Sequence, residues 1–422
     1  MKGLPETATS AFVQTLWLNR RGMSRTAFKQ WQQKQLSRWL QQDLPKVNFY
    51  QNHPASLDAL PIIDKAIVME NFERFNQGRI TQEEGWQILQ EGGRFGTVNI
   101  GVSTGTSGNR TLYAVTQKEQ YRWLGTMLAK TIPGFLFEPE RVAIILPQNS
   151  ALYETANQTK RIQLRFYGLL DGMETWYDDL LAFQPTTIVA PPRMLRHLAD
   201  LNAPISPRRL YAGGETLDPL DKARIEAYFS QTLGQIYMAS EGLFAVTCRH
   251  NRLHLTEDAN VFEFEPVTGN LVSPLITSFR RSYQIMARYR INDLLRLSDE
   301  QCPCGSPLQV IEEVIGRMDD TYQFTRSDGS MLLITPDILR TTILDASRAI
   351  EDFRLIRQEN GRLELWLHQD LPKAEGNKAK KALEALFVKR GHSHEVHLIF
   401  EKLPFETSRK LRRVEWRQGG KA

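Results

Sequence analysis

The stretch RRLYAGG at residues 208–214 passes from two arginines through Leu210, Tyr211 and Ala212 into two consecutive glycines. A short apolar run that ends in Gly-Gly reads as a strand entering a tight turn. Residues 221–230 then read as a helix, and QIYMA at 235–239 as the next strand. Upstream, VAIIL at 142–146 is a buried-strand run, and TTIVA at 186–190 is another, stopped by Pro191 and Pro192. Strands that alternate with helices predict α/β layering.

Outward from this core the character changes twice. Near the N-terminus, FKQWQQKQLSRWLQQDL places Phe28, Trp31, Gln35 and Trp39 at helical spacing, with the glutamines supplying a wet face. After about residue 318, FRLIRQENGRLELWLH reads as two strands joined at Glu359, Asn360 and Gly361. KAKKALEALFVKRG reads as a helix stopped by Gly391, and HEVHLIF as a further strand. These C-terminal elements predict a small separate α+β domain.

Composition narrows the class. The 422 residues are 41% hydrophobic and 24% charged, a globular balance that excludes a disordered or fibrous chain. No apolar run reaches the roughly 18 residues that a membrane-spanning helix needs. MKGLPETATSAF lacks an apolar signal core, so a cytoplasmic protein is expected. The net charge of +5 is small for the length; it suits a nucleotide ligand and gives no sign of a nucleic-acid surface.

Six local patterns can carry chemistry. VSTGTSGNR at 102–110 interleaves hydroxyls and glycines, over Ser103, Thr104, Gly105, Thr106, Ser107 and Gly108. Such a loop can wrap backbone N–H groups and hydroxyls around phosphate oxygens, although a plain surface turn has the same composition. It lacks the Lys-Ser/Thr ending of a P-loop. In YAGGETL, Gly213 and Gly214 allow close backbone approach to a flat ligand. In IYMASEG, Tyr237 can stack on a purine, Ser240 can bond a phosphate and Glu241 can hold magnesium. The only cysteines, Cys248, Cys302 and Cys304, fall in TCRHNRLH and CPCG, beside His250 and His254. Three thiolates and one histidine make a closed zinc site, with either histidine as fourth ligand. YRINDLLRL and IGRMDD offer Asp293 for ribose hydroxyls, Arg317 for ribose or phosphate, and a hinge near Asp319. LPFETSRKLRR reads as a basic tail, or as a loop that delivers Lys410 to a transferring phosphoryl group.

Taken in order, these motifs resemble the adenylate-forming superfamily of acyl-CoA synthetases and adenylation domains. STGTSG is similar to its phosphate loop, YMASEG to its aromatic-x-x-Ser/Thr-Glu motif, and YRIND to its Tyr-Arg-x-x-Asp motif. GRMDD is similar to its hinge and LPFETSRK to its lysine motif. EGLFAVTC, RLHLTED, CPCGS and LPIIDKAIVMENFERFN resemble the phenylacetate-CoA ligase branch, in particular members related to the synthetase that adenylylates a deazaflavin coenzyme. The resemblance covers about residues 57–413.

The resemblance implies a large multi-sheet AMP-binding domain over 1–318, with a zinc segment at about 248–305, and a lid domain over 319–422. It implies that Ser103 to Gly108 hold the ATP phosphates, with Thr104 among the catalytic residues. Gly213, Gly214 and Glu215 would line the adenine, with Tyr237 on its face. Ser240 would touch the α-phosphate and Glu241 would bind magnesium. Asp293 would hold the ribose, and Arg317 would support the nucleotide. Lys410 would stabilise carboxylate attack. Cys248, Cys302, Cys304 and His254 would be the zinc ligands, with His250 the alternative fourth. The implied substrates are ATP and an aryl or acyl carboxylate, then CoA or a carrier thiol, in a homodimer. Adenylylation of a hydroxyl and a non-catalytic, zinc-stapled nucleotide binder are the alternatives. The chain also departs from the family pattern: Met238, Asn292 and Arg409 stand where glycines are expected, and TYQFTRSDGSM replaces an Arg-Gly-rich segment. Met238 is expected to narrow the acceptor pocket.

Overall fold

A computed structural model describes residues 4–103, 110–147, 161–325, 331–403 and 411–417. It divides into two compact units, 1–217 with 221–291 and 295–313, and 218–220 with 292–294 and 314–422.

The first unit is built on a sheet whose parallel part runs in the order Ile162–Gly168, Glu140–Leu146, Thr187–Ala190, Arg209–Gly213 and Leu233–Ala239. Beyond Leu233–Ala239 the neighbours Gly242–Thr247 and Leu253–Leu255 are antiparallel. The parallel strands are apolar on both faces because both faces are covered. On one face Ala143, Ile188, Leu210 and Leu233 meet Leu180, Met194, Leu198 and Ile225 from the helices Tyr177–Phe183, Pro192–Asp200 and Pro219–Phe229. On the other, Val142 and Ile144 pack with Leu124 and Leu128, and Tyr211 and Ile236 pack with Trp123 and Met127, all four from the helix Gln117–Thr131. The α/β class expected from RRLYAGG and its neighbours is the one observed.

Two local devices fix that second helix. Thr116 and Glu119 form a capping box at its start. The buried Glu119 carboxylate also accepts from the backbone N–H of Ser282 at 2.6 Å and of Tyr283 at 3.1 Å. Burial works against that charge, but Arg281 and the backbone donors outweigh it and hold the carboxyl below its usual range.

The helix Arg25–Gln42 forms as its spacing predicts, with Ser24 as N-cap. The glutamine face needs one correction. Gln32 is buried, and its side-chain amide donates to the Glu257 and Asn260 carbonyls at 2.7 and 3.0 Å. A glutamine can sit in a core when its polar atoms are bonded there, which periodicity alone does not reveal.

In the second unit four strands lie in the order Val396–Glu401, Leu363–His368, Phe353–Arg357 and Val414–Trp416. The hairpin turn is where the sequence places it, with Gly361 at φ +81°, and Gly391 ends the helix Lys373–Lys389 in the same conformation. Phe353, Leu355, Leu365 and Leu367 bury against Leu339, Ile343, Leu383 and Phe387. Among the described residues no helix is long and apolar enough to cross a membrane.

Candidate functional site

Strands Leu233–Ala239 and Gly242–Thr247 pair antiparallel, with Ala239 opposite Gly242. Ser240 and Glu241 are therefore the whole two-residue connection between them. The pairing shifts register between Tyr237 and Met238, a bulge that re-aims the side chains just before the turn. Ser240 Oγ donates to Glu241 Oε2 at 2.9 Å, and the Tyr289 hydroxyl donates to Glu241 Oε1 at 2.9 Å. The turn thus brings together two stretches that the sequence keeps 48 residues apart.

The glycine turn ends the neighbouring parallel strand, where Gly213 is in register with Ile236. A Cβ at Gly213 would stand 3.5 Å from the Ile236 carbonyl, and Gly214 has φ +80°, a conformation glycine adopts without strain. Glu215 is not free at the surface: it forms a buried ion pair with Arg193 at 3.1 Å. Arg193 escaped the sequence reading, although a lone arginine among Pro192, Met194 and Leu195 was a signal. Tyr237 is buried, its ring tilted against Phe244 at 5.4 Å. Met238 packs on the other side, with the cluster of Tyr211, Ile236, Leu243 and Val246.

Ser103 is the described residue that opens the hydroxyl- and glycine-rich stretch. Its N–H donates to the Thr111 carbonyl at 2.8 Å, and its Oγ accepts from the Thr111 N–H at 2.9 Å. This extends the antiparallel pair Val98–Val102 and Leu112–Thr116 by one step. Thr104, Gly105, Thr106, Ser107, Gly108 and Lys410 lie outside the described residues.

Within the second unit Asn292 meets the GRMDD stretch. The Met318 N–H donates to the Asn292 carbonyl at 3.0 Å, and Asn292 Nδ2 donates to Asp319 Oδ2 at 2.6 Å. Asn292 has φ +56°. Asparagine tolerates that left-handed conformation better than other side chains do, which explains how it replaces the expected glycine. Asp293 is half-buried and Arg317 exposed.

The cysteine clusters converge in the first unit. One ligand atom each from Cys248, His254, Cys302 and Cys304 lies within 4.8 Å of all the others. Cys248 Sγ and Cys302 Sγ are 3.6 Å apart, too far for a disulfide, whose length is about 2.05 Å. Cys304 Sγ is 3.5 Å from His254 Nε2. Tetrahedral ligands around one zinc ion would stand about 3.8 Å apart for two sulfurs and about 3.6 Å for sulfur and nitrogen. His254 Nδ1 is 3.1 Å from the Leu308 carbonyl, which can only accept, so Nδ1 carries the proton and Nε2 keeps its lone pair for a metal. Backbone N–H groups of His250, Cys304 and Ser306 donate to Cys248, Cys302 and Cys304, which offsets thiolate charge. Burial pushes the Cys302 thiol up. The donor set fits a closed zinc site. Of the two candidate histidines, His254 belongs to the cluster, whereas His250 is exposed and contributes its backbone amide.

No family model matches the chain. Protein CapK of Staphylococcus aureus is 24% identical over 245 residues, which span 56% of this chain and 53% of CapK, so the chain matches about half the length of that curated relative. A 2-hydroxyisobutyryl-CoA ligase, solved in the postadenylation state with R3-HIB-AMP, aligns over 95% of this chain and 91% of its own at TM-score 0.69 and 16% identity. A benzoate CoA ligase from Burkholderia xenovorans LB400 aligns over 76% of this chain and 68% of its own at TM-score 0.53 and 12% identity. The chain therefore has the fold of these CoA ligases.

Proposed function

We propose that the chain is an ATP- and magnesium-dependent adenylate-forming ligase that activates an aryl or acyl carboxylate and passes it to CoA or a carrier thiol. The observation that carries this reading is the placement of Glu241. It sits on a two-residue turn at the carboxyl end of a parallel strand, beside the Gly213–Gly214 turn of the next strand. Ligands of open α/β sheets bind outside the carboxyl ends of the strands. The CoA-ligase fold, aligned over 95% of the chain, supports the same reading.

In this proposal a substrate carboxylate oxygen attacks the α-phosphorus of ATP. The bond from that phosphorus to the bridging oxygen breaks, and pyrophosphate leaves with the electron pair. The two glycines admit the flat adenine, with Tyr237 nearby. Ser240 bonds the α-phosphate. Glu241 would hold magnesium, whose charge, when bound, neutralises phosphate oxygens. The hydroxyl loop, including Thr104, would hold the β- and γ-phosphates. Asp293 and Arg317 would bind ribose and phosphate, and Lys410 would stabilise the charge that develops during attack. Cys248, His254, Cys302 and Cys304 would hold a structural zinc. Residues 1–318 would form the AMP-binding domain and 319–422 the lid, in a cytoplasmic homodimer of the phenylacetate-CoA ligase branch.

ATP–pyrophosphate exchange tests this with a panel of aryl and fatty acids and a Glu241→Gln control. Carboxylate-dependent exchange that the control loses is the expected result. No exchange with any acid, in a chain that binds ATP, would refute carboxylate activation. Product resistant to hydroxylamine would instead indicate adenylylation of a hydroxyl.

A further inference from the structure

We infer that Tyr289 is a positioning residue for the metal-binding carboxylate: its phenol O–H, 2.9 Å from Glu241 Oε1, fixes the plane in which Glu241 meets magnesium-bound nucleotide. The inference rests on the proposed role of Glu241.

Tyr289 is itself unusually well held. It is 5% exposed, so its ring has little rotational freedom. Its strand, Tyr289–Arg290, pairs with Leu271–Thr277 on one side, with Ile276 opposite Tyr289. On the other side Ile63 forms a parallel bridge to Tyr289. The Ile63 N–H donates to the Arg288 carbonyl at 3.2 Å, and the Arg290 N–H donates to the Ile63 carbonyl at 2.8 Å. Arg288 adds hydrogen bonds from its N–H to Thr277 Oγ1 at 2.8 Å and from its guanidinium to the Leu60 carbonyl at 2.9 Å. The phenol is thus placed by backbone pairing on both flanks of its strand, whereas Glu241 sits within the two-residue turn itself.

The lone pairs show what the phenol does. An ionised carboxylate offers two lone pairs on each oxygen. Ser240 occupies one on Oε2 and Tyr289 one on Oε1, which leaves one on each oxygen for a metal. Magnesium demands near-ideal octahedral geometry and is usually bound through one or two carboxylates plus substrate phosphates, so the plane of that single carboxylate matters. Once Ser240 turns its hydroxyl to a phosphate, Tyr289 is the remaining donor to Glu241 among the described residues. Groups that orient metal ligands typically change metal affinity by about 10–100-fold when removed.

Tyr289→Phe keeps the buried ring and removes the O–H. The test is calorimetric ATP binding titrated with magnesium, alongside pyrophosphate exchange and thermal melting. The expected result is a rise of about tenfold or more in the magnesium concentration needed for half-maximal ATP binding. The value of kcat at saturating magnesium should stay unchanged, because magnesium and ATP are lost from ground-state binding alone, and the melting midpoint should fall by no more than a few degrees, the ring being kept and one hydrogen bond lost. In a Glu241→Gln background the second substitution should add little, since the two groups act as one unit. Unchanged magnesium dependence in Tyr289→Phe, or additive losses in the double variant, would overturn the inference alone. A wild-type chain with no magnesium-dependent ATP binding would overturn the functional reading and the inference with it.

Discussion

Replacing Cys302 by serine should remove a metal from this protein and cost it much of its thermal stability. Cys302 is buried, 3.6 Å from Cys248 Sγ, in a set whose ligand atoms all lie within 4.8 Å of one another. The Leu308 carbonyl already fixes the His254 tautomer, so little reorganisation is needed for binding. A metal that binds the folded chain and not the unfolded one stabilises it by about 4 kcal/mol when its concentration is about 1,000 times Kd. In a unit this large each kcal/mol moves the midpoint by roughly 2 °C, so the loss should be about 8 °C. The assay is elemental analysis of the purified chain, followed by melting with and without a strong chelator. Wild type should carry one zinc per chain and melt lower with chelator. Cys302→Ser should carry none and ignore the chelator, and His250→Ala should behave as wild type. A wild-type chain that purifies without metal, and melts at the same temperature with or without added zinc, would refute the argument.

Three further outcomes follow from particular contacts. Glu215→Gln should cost about 3–5 kcal/mol in urea unfolding by taking away the carboxylate charge that faces the buried Arg193, whereas Arg193→Met with Glu215→Leu should cost far less; equal costs would contradict the buried-pair account. Asn292→Gly should be tolerated within a few tenths of a kcal/mol beyond its lost bond to Asp319, while Asn292→Val should cost about 1–3 kcal/mol more, because a β-branched residue resists φ +56°. Burial opposes the Glu257 charge, but Arg25 and Lys29 prevail and hold its pKa below the usual carboxylate range. Its stabilising contribution is therefore present above the unfolded carboxylate pKa and is lost as pH falls through the lower folded value. Glu257→Gln should flatten that acid limb and cost on the order of 1–2 kcal/mol at pH 7, an estimate discounted for its half-exposed partners; an unchanged pH profile would contradict it.

Legibility differed from element to element for physical reasons. The runs VAIIL, TTIVA and RRLYAGG became parallel strands because residues apolar on both faces have nowhere to go but between covering helices. Helix Arg25–Gln42 was equally plain, yet Gln32 faced the wrong way, since its burial depends on carbonyls of Glu257 and Asn260 more than 200 residues away. The two cysteine clusters pointed to a convergence of thiols, but His250 and His254 looked equivalent along the chain. The strand Leu253–Leu255 separates them: it carries His254 inward to the thiols and leaves His250 at the surface.

The sequence by itself determined the α/β class and the turns at Gly214, Gly361 and Gly391, and it supplied the thiols, imidazole and carboxylate that the cysteine–histidine cluster and the Glu241 turn use. These rest on local rules: side-chain period, the freedom of glycine at positive φ, and the donor chemistry of thiolate, imidazole and carboxylate. Only the tertiary structure decided that Tyr289 bonds Glu241, that Arg193 neutralises Glu215 and that Asn292 meets Asp319. Each of those pairs joins stretches more than 20 residues apart in the chain, and such distances are set by how whole strands register against one another, which no local pattern encodes.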